Sequence, residues 1–94
     1  MAISDSYTQV IGKIIKEQEA IIGPIALEQA KKVSGLEISS LEDIKINGDV
    51  KEVLSNLVIR YSKLFGRASV EVCKQAVRSS KIEMSKDDLP AILQ

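Results

Sequence analysis

The side chains of this chain with chemistry to offer are one thiol, Cys73, two phenols, Tyr7 and Tyr61, and a run of cations, Arg60, Lys63, Arg67, Lys74, Arg78 and Lys81. A cysteine reacts or binds metal as the thiolate, and a neighbouring base or cation must lower its pKa to make one. The sequence contains no His, so that help would have to come from Lys74 or an arginine. Cys73 falls inside an apolar helical pattern, where a thiol behaves as a small hydrophobe, and it is read as a core residue. Lack of His also removes the commonest general acid and base together with zinc constellations, and a lone Cys forms no intrachain disulfide. Asp43, Asn47, Gly48 and Asp49 have the residue types of a calcium loop without its alternate-residue spacing or terminal Glu. They are read as turn and cap residues. Neither a P-loop nor a GxGxxG pattern occurs. The expectation is a protein that is not an enzyme and that carries no cofactor and no metal.

The cations are different, because they recur. From Arg60 to Lys81 their steps are 3, 4, 7, 4 and 3 residues, which puts many of them along related helix faces. Such a face grips an acidic protein surface or a phosphate backbone. The plainer reading is a solvated face, with Arg78 and Lys81 complementing the helix dipole. Thirteen Lys and Arg balance thirteen Asp and Glu, which argues against a surface that coats a polyanion all over. The balance is uneven along the chain, with a net of −3 over residues 1–59, +5 over 60–81 and −2 over 82–94. A local, asymmetric interaction face is compatible with that distribution. Nucleic acid is the weaker alternative partner, since Tyr7, Tyr61 and Phe65 are all the aromatics and no recognition helix with its turn is apparent.

The elements that must position these groups follow from hydrophobic period and punctuation. Ser6 with Gln9 has capping-box spacing, and Tyr7, Val10, Ile11, Ile14, Ile15, Ile21 and Ile22 follow at helical steps, so a first helix runs to about Ile22. Gly23-Pro24 ends it, and Pro24 suits the first turn of a second helix that reaches Ser34 before Gly35. Over 36–46 the period becomes alternating, with Leu36, Ile38, Ile44 and Ile46 apolar. That fits either a short hairpin or an extended linker with a helical turn. Asp49 with Glu52 repeats the cap in front of the clearest helix, whose stripe is Val50, Val53, Leu54, Leu57, Val58, Tyr61, Leu64 and Phe65. Gly66 interrupts it, and a fourth helix carries Val70, Cys73, Ala76 and Val77 to the region of Ser79 to Lys81. A short tail helix with Leu89, Ile92 and Leu93 follows.

Sliding the sequence by 43 residues sets Ser6 on Asp49, Val10 on Val53, Ile11 on Leu54, Ile14 on Leu57, Ile15 on Val58, Gly23 on Gly66 and Ala30 on Cys73. Coincidence of cap, stripe, glycine and second helix reads as a duplicated helix–Gly–helix unit, 6–34 and 49–81, joined by a linker at 35–48 and followed by a tail at 82–94. The alternative is two convergent helix pairs. In the same register Gln18 falls on Tyr61 and Lys16 on Ile59, so the third helix is apolar over a wider arc.

One all-α domain over 1–94 results, with four main helices in two Gly-linked pairs, a hairpin or linker at 36–46 and a short C-terminal helix. The N-terminus lacks a signal-peptide pattern and no window has the length of a membrane span, so a cytoplasmic protein is expected. With Ile, Val and Leu abundant on several helices, pairing of two copies would bury more apolar surface. Gly12, inside the first helix, invites close approach of another helix, and with Leu89, Ile92 and Leu93 it marks the candidate self-association surface. The tail equally suits packing on its own core. The functional expectation is a non-catalytic, homodimeric adaptor or regulatory module, with Arg60, Lys63, Arg67, Lys74, Arg78 and Lys81 as candidate partner-binding residues. The alternative is a nucleic-acid-associated regulator using that basic stretch.

Overall fold

The fold is seen in a computed structural model that describes residues 3–40, 43–79 and 93. In order, the elements are α1 (Ile3–Ile22), α2 (Ile25–Lys31), β1 (Leu36–Ser40), β2 (Asp43–Ile46), α3 (Val50–Phe65) and α4 (Arg67–Ser79). The protein is mostly helical, and its two strands form an antiparallel hairpin.

α1 begins at Ile3, four residues before the Tyr7 start that a cap at Ser6 predicts. Neither Pro nor Gly lies between Ile3 and Ser6, so nothing in that stretch opposes adding backbone hydrogen bonds to the first turn. The helix stops where predicted. Gly23 takes φ 77°, a left-handed value that only glycine adopts cheaply, and its N–H closes the last turn on the Glu19 carbonyl at 2.9 Å. Pro24, with φ −58° and ψ −20°, caps α2, its fixed φ being helical already. α2 ends at Lys31, earlier than the Ser34 expected, because the chain tightens there: Lys32 and Val33 donate to Gln29 and Ala30, three residues back. The buried Val33 is thereby turned into the core.

The segment 36–46 is the hairpin of the two alternatives. Leu36 pairs with Ile46, Glu37 with Lys45 and Ile38 with Ile44. Leu36 is buried and Ile38, Ile44 and Ile46 pack partly buried against the core, while Glu37 and Lys45 lie on the exposed side. A two-stranded ribbon is marginal alone; this one rests on α2 through β1 and on α1 through β2.

Asp49 caps α3 as its position predicts, accepting from the Lys51 and Glu52 N–H groups at 2.9 and 3.2 Å. The inward face of α3 is Val53, Leu54, Leu57, Val58 and Tyr61. It meets Val10, Ile11, Ile14 and Ile15 of α1, Ala26 and Ala30 of α2, and Cys73 and Ala76 of α4 in one core. Burial of each large aliphatic side chain contributes about 1.5 to 3 kcal/mol. Phe65 is only half-buried and Leu64 is exposed, so the apolar stripe of α3 turns to solvent in its last turn. α4 packs on both α1 and α3. Of the tail, Leu93 alone lies within the described residues; it is 5% exposed and joins the core, the inward packing that the sequence left as one option. The expected tail helix, with Leu89 and Ile92, lies outside the described residues.

Candidate functional site

Two groups of residues have the chemistry to matter, one inside the molecule and one on its outer face. The inner group begins with a polar residue at a core position. Gln18 falls in the apolar period of α1, four residues after Ile14, and is 1% exposed. A buried amide must find partners. Its Nε2 donates to the Ser69 carbonyl at 3.0 Å and to Cys73 Sγ at 3.5 Å. The Tyr61 hydroxyl, also fully buried, donates to the Ala26 carbonyl at 2.6 Å. Each bond crosses between helices distant in sequence. Among the described residues no buried side-chain nitrogen or oxygen lacks a partner.

Burial sets the electrostatics of this group. Desolvation pushes the Cys73 thiol up to about 11, with the Gln18 hydrogen bond pulling weakly the other way. The Tyr61 hydroxyl is likewise raised by desolvation, then by Cys73 and Glu19 nearby. At neutral pH both groups are therefore neutral, and the thiolate that chemistry would need is not formed. Sequence reasoning placed Cys73 and Tyr61 in the core but missed Gln18 as the partner of Cys73. The signal was available, since Gln18 sits in the apolar period and aligns with Tyr61 under the 43-residue shift. Among the described residues no three of His, Cys, Asp and Glu are grouped to hold a metal ion, and no helix is long and apolar enough to cross a membrane.

The outer group is the basic run and its surroundings. Arg60 and Lys63 line an open hollow of about 340 Å³ on α3 together with Asn56, Ile59 and Leu64. These are one face of the helix, at steps of three and four. Arg60 is half-buried and its Nε donates to Gln29 Oε1 of α2 at 2.9 Å, which fixes the guanidinium at the edge of the hollow. Lys63 and Arg67 are exposed around the α3–α4 corner. Lys74, half-buried, and Arg78, exposed, belong to the outward strip of α4, where exposed Glu71 is interposed. Arg60 and Lys63 thus share the hollow, while Arg67 begins the charge-mixed strip that runs through Glu71, Lys74 and Arg78 along one face of α4; Lys81 lies outside the described residues.

Leu64 is 51% exposed beside Arg60 and Lys63 in the hollow, and Ile21 and Ile25, 64% and 38% exposed, flank the corner between α1 and α2. The periodic stripes counted Ile21 and Leu64 as core. Their neighbours Ile22 and Phe65 still pack against the core, so Ile21 and Leu64 lie on the side of each last turn that faces away from it. Of the other self-association candidates, Gly12 is half-buried on α1 and Leu93 is in the core. No known protein family, curated protein or solved structure matches this chain.

Proposed function

We propose that this protein is a small, non-catalytic helical interaction module, a homodimeric adaptor or regulatory protein in the cytoplasm, built by duplication of one helix–Gly–helix unit. The observation that carries the reading is a division of labour. The side chains able to do chemistry, Cys73 and Tyr61, are sealed in the core and held protonated, with their polar atoms engaged in inter-helix hydrogen bonds. Among the described residues the large apolar side chains left exposed, Ile21, Ile25 and Leu64, lie on outer faces beside charges. Exposed apolar residues rimmed by charge are what a protein-binding surface presents.

Support for the duplication is reciprocity. Gly23 and Gly66 have φ of 77° and 87°. Ala26 donates to the Gly23 carbonyl and Ser69 to that of Gly66, both at 3.1 Å. Val10, Ile11, Ile14, Ile15, Gln18, Ala26, Ala30 and Val33 are buried, and so are their counterparts 43 residues on. Two convergent helix pairs would not need to match their turns bond for bond.

The test is capture of partners from the source cell by wild type and by a Lys63→Glu/Arg67→Glu/Lys74→Glu variant. A protein partner held by wild type and lost by the variant is the expected result. Recovery of nucleic acid, with affinity falling steeply as salt rises, would replace the reading with the nucleic-acid-associated regulator.

A further inference from the structure

We infer that two copies of this chain associate by seating the acidic, apolar face made by Glu17, Ile21, Ile25 and Glu28 of one on the basic, apolar face made by Arg60, Lys63, Leu64 and Arg67 of the other. This rests on the interaction-module reading and names its first partner, a second copy.

The exposed large apolar residues found among the described residues all fall on these two faces and nowhere else: Ile21 and Ile25 on the first, Leu64 on the second. What surrounds them has opposite sign. Glu17 stands one helical turn before Ile21, and Glu28 one turn after Ile25. Arg60 stands one turn before Leu64 with Lys63 beside it, and no acid lines the hollow that these three share; Arg67 follows three residues after Leu64, one turn before exposed Glu71. Complementary charges around apolar centres steer and orient association.

The two faces are also counterparts. Ile21 corresponds to Leu64 and Glu17 to Arg60 under the 43-residue shift. In an exact repeat the faces would carry like charge and repel. Here the apolar centre is retained at Ile21 and Leu64 while Glu17 has become Arg60, and Lys63 and Arg67 stand where the first unit has Ala20 and Pro24; Glu28 and its counterpart Glu71 are unchanged, so the complementarity centres on Glu17 and Arg60. No foreign protein is required to supply that complement, because the chain carries both halves.

Local geometry favours the contact. The bond to Gln29 holds Arg60 in place through Nε, leaving its two Nη groups to meet a carboxylate in the bidentate manner that guanidinium allows. Glu17 is held by Lys13 at 3.1 Å in an ion pair whose members are 41% and 34% exposed. A surface pair of that kind is weak and exchanges readily for a partner's cation. Two copies that exchange the faces reciprocally close a two-fold dimer with neither face left open.

The experiment uses wild type, two charge variants and one apolar variant of the full chain in sedimentation equilibrium, with thermal melts by circular dichroism to confirm that each is folded. One charge variant is Glu17→Lys/Glu28→Lys, which makes both faces basic. The second is Lys63→Glu/Arg67→Glu, which makes both faces acidic, and both are compared with wild type at low salt. Wild type should dimerise, each variant alone should dissociate at least about tenfold more readily, and an equimolar mixture of the two should recover association. Ile21→Ser/Leu64→Ser should weaken it even at high salt, where charge is screened. Wild type that stays monomeric at several hundred micromolar, variants that associate like wild type, or a mixture that fails to associate would each overturn the pairing. A monomeric wild type that still loses a foreign protein partner on Lys63→Glu/Arg67→Glu would sink this inference while leaving the interaction-module reading standing.

Discussion

Gln18 and Tyr61, 43 residues apart, each donate a hydrogen bond across the molecule to a carbonyl near the start of the other helix pair's second helix: Gln18 to Ser69 and Tyr61 to Ala26. The acceptors are themselves 43 residues apart. The two bonds therefore cross-brace α1–α2 against α3–α4. They also account for the burial of Gln18 and the Tyr61 hydroxyl, since each satisfies a donor that burial would otherwise leave costly.

Removing one brace gives the first prediction. Tyr61→Phe keeps the ring and deletes the donor to Ala26, and Gln18→Met keeps the length and deletes the donor to Ser69. Each should lower unfolding free energy by about 1 to 2 kcal/mol, a fall in melting temperature of about 4 to 16 °C for a domain of this size. Urea unfolding checks it. Unchanged stability in both variants would mean that the braces add nothing.

The turns give a ranked prediction. Gly35 has φ 84°, and a Cβ there would lie 2.6 Å from the Asn47 backbone oxygen and 2.9 Å from Val53 Cγ2, neither of which can yield without disturbing the hairpin or the start of α3. Gly66 has φ 87° and ψ −177°, a region essentially restricted to glycine, but open space around it. Gly35→Ala should therefore cost more than Gly66→Ala, at about 3 kcal/mol or above against about 1 to 3. Chemical denaturation of the two variants compares them directly, and a reversed order would contradict the close approach at Gly35.

The buried thiol predicts alkaline behaviour. Cys73 has a folded pKa of about 11 against an ordinary 9.0, so the folded state holds its proton more tightly than the unfolded state. That contribution to stability is fully present below pH 9 and is lost as pH rises through 11. Tyr61, raised in the same direction, extends the loss further. Wild type should destabilise over this window more steeply than Cys73→Ala, measured by denaturation at several pH values. At neutral pH the folded protein should react with a thiol reagent only as fast as it opens. Rapid labelling under native conditions would show the thiol to be accessible.

Much of this architecture was legible in the sequence where punctuation and period agree. Gly23, Gly66 and Asp49 fixed their boundaries because each is the residue type its backbone position demands. The hairpin stayed ambiguous, since alternation at Leu36, Ile38, Ile44 and Ile46 describes a strand without saying whether two strands meet. That depended on docking to α1 and α2. The site was less legible. Period alone assigns Ile21 and Leu64 to the core, but the core takes Ile22 and Phe65 beside them and leaves these two on the outer side of each last turn, which only the tertiary arrangement shows. Gln18 was hidden for the opposite reason, a polar type at a core position whose partners come from 51 and 55 residues away. The basic run was visible as a pattern, yet its partition into a cluster around Leu64 and a mixed strip with Glu71 required the α3–α4 corner.

The most direct test sets the interior against the outer face within one capture experiment. Cys73→Ala and Tyr61→Phe alter the buried chemistry, whereas Lys63→Glu/Arg67→Glu alters only exposed charge. With melts showing all three forms folded, the interior variants should retain binding of protein partners, a second copy included, and the surface variant should lose it. Binding or activity that survives the surface change and disappears with Cys73→Ala would contradict a non-catalytic interaction module and return the function to the core thiol.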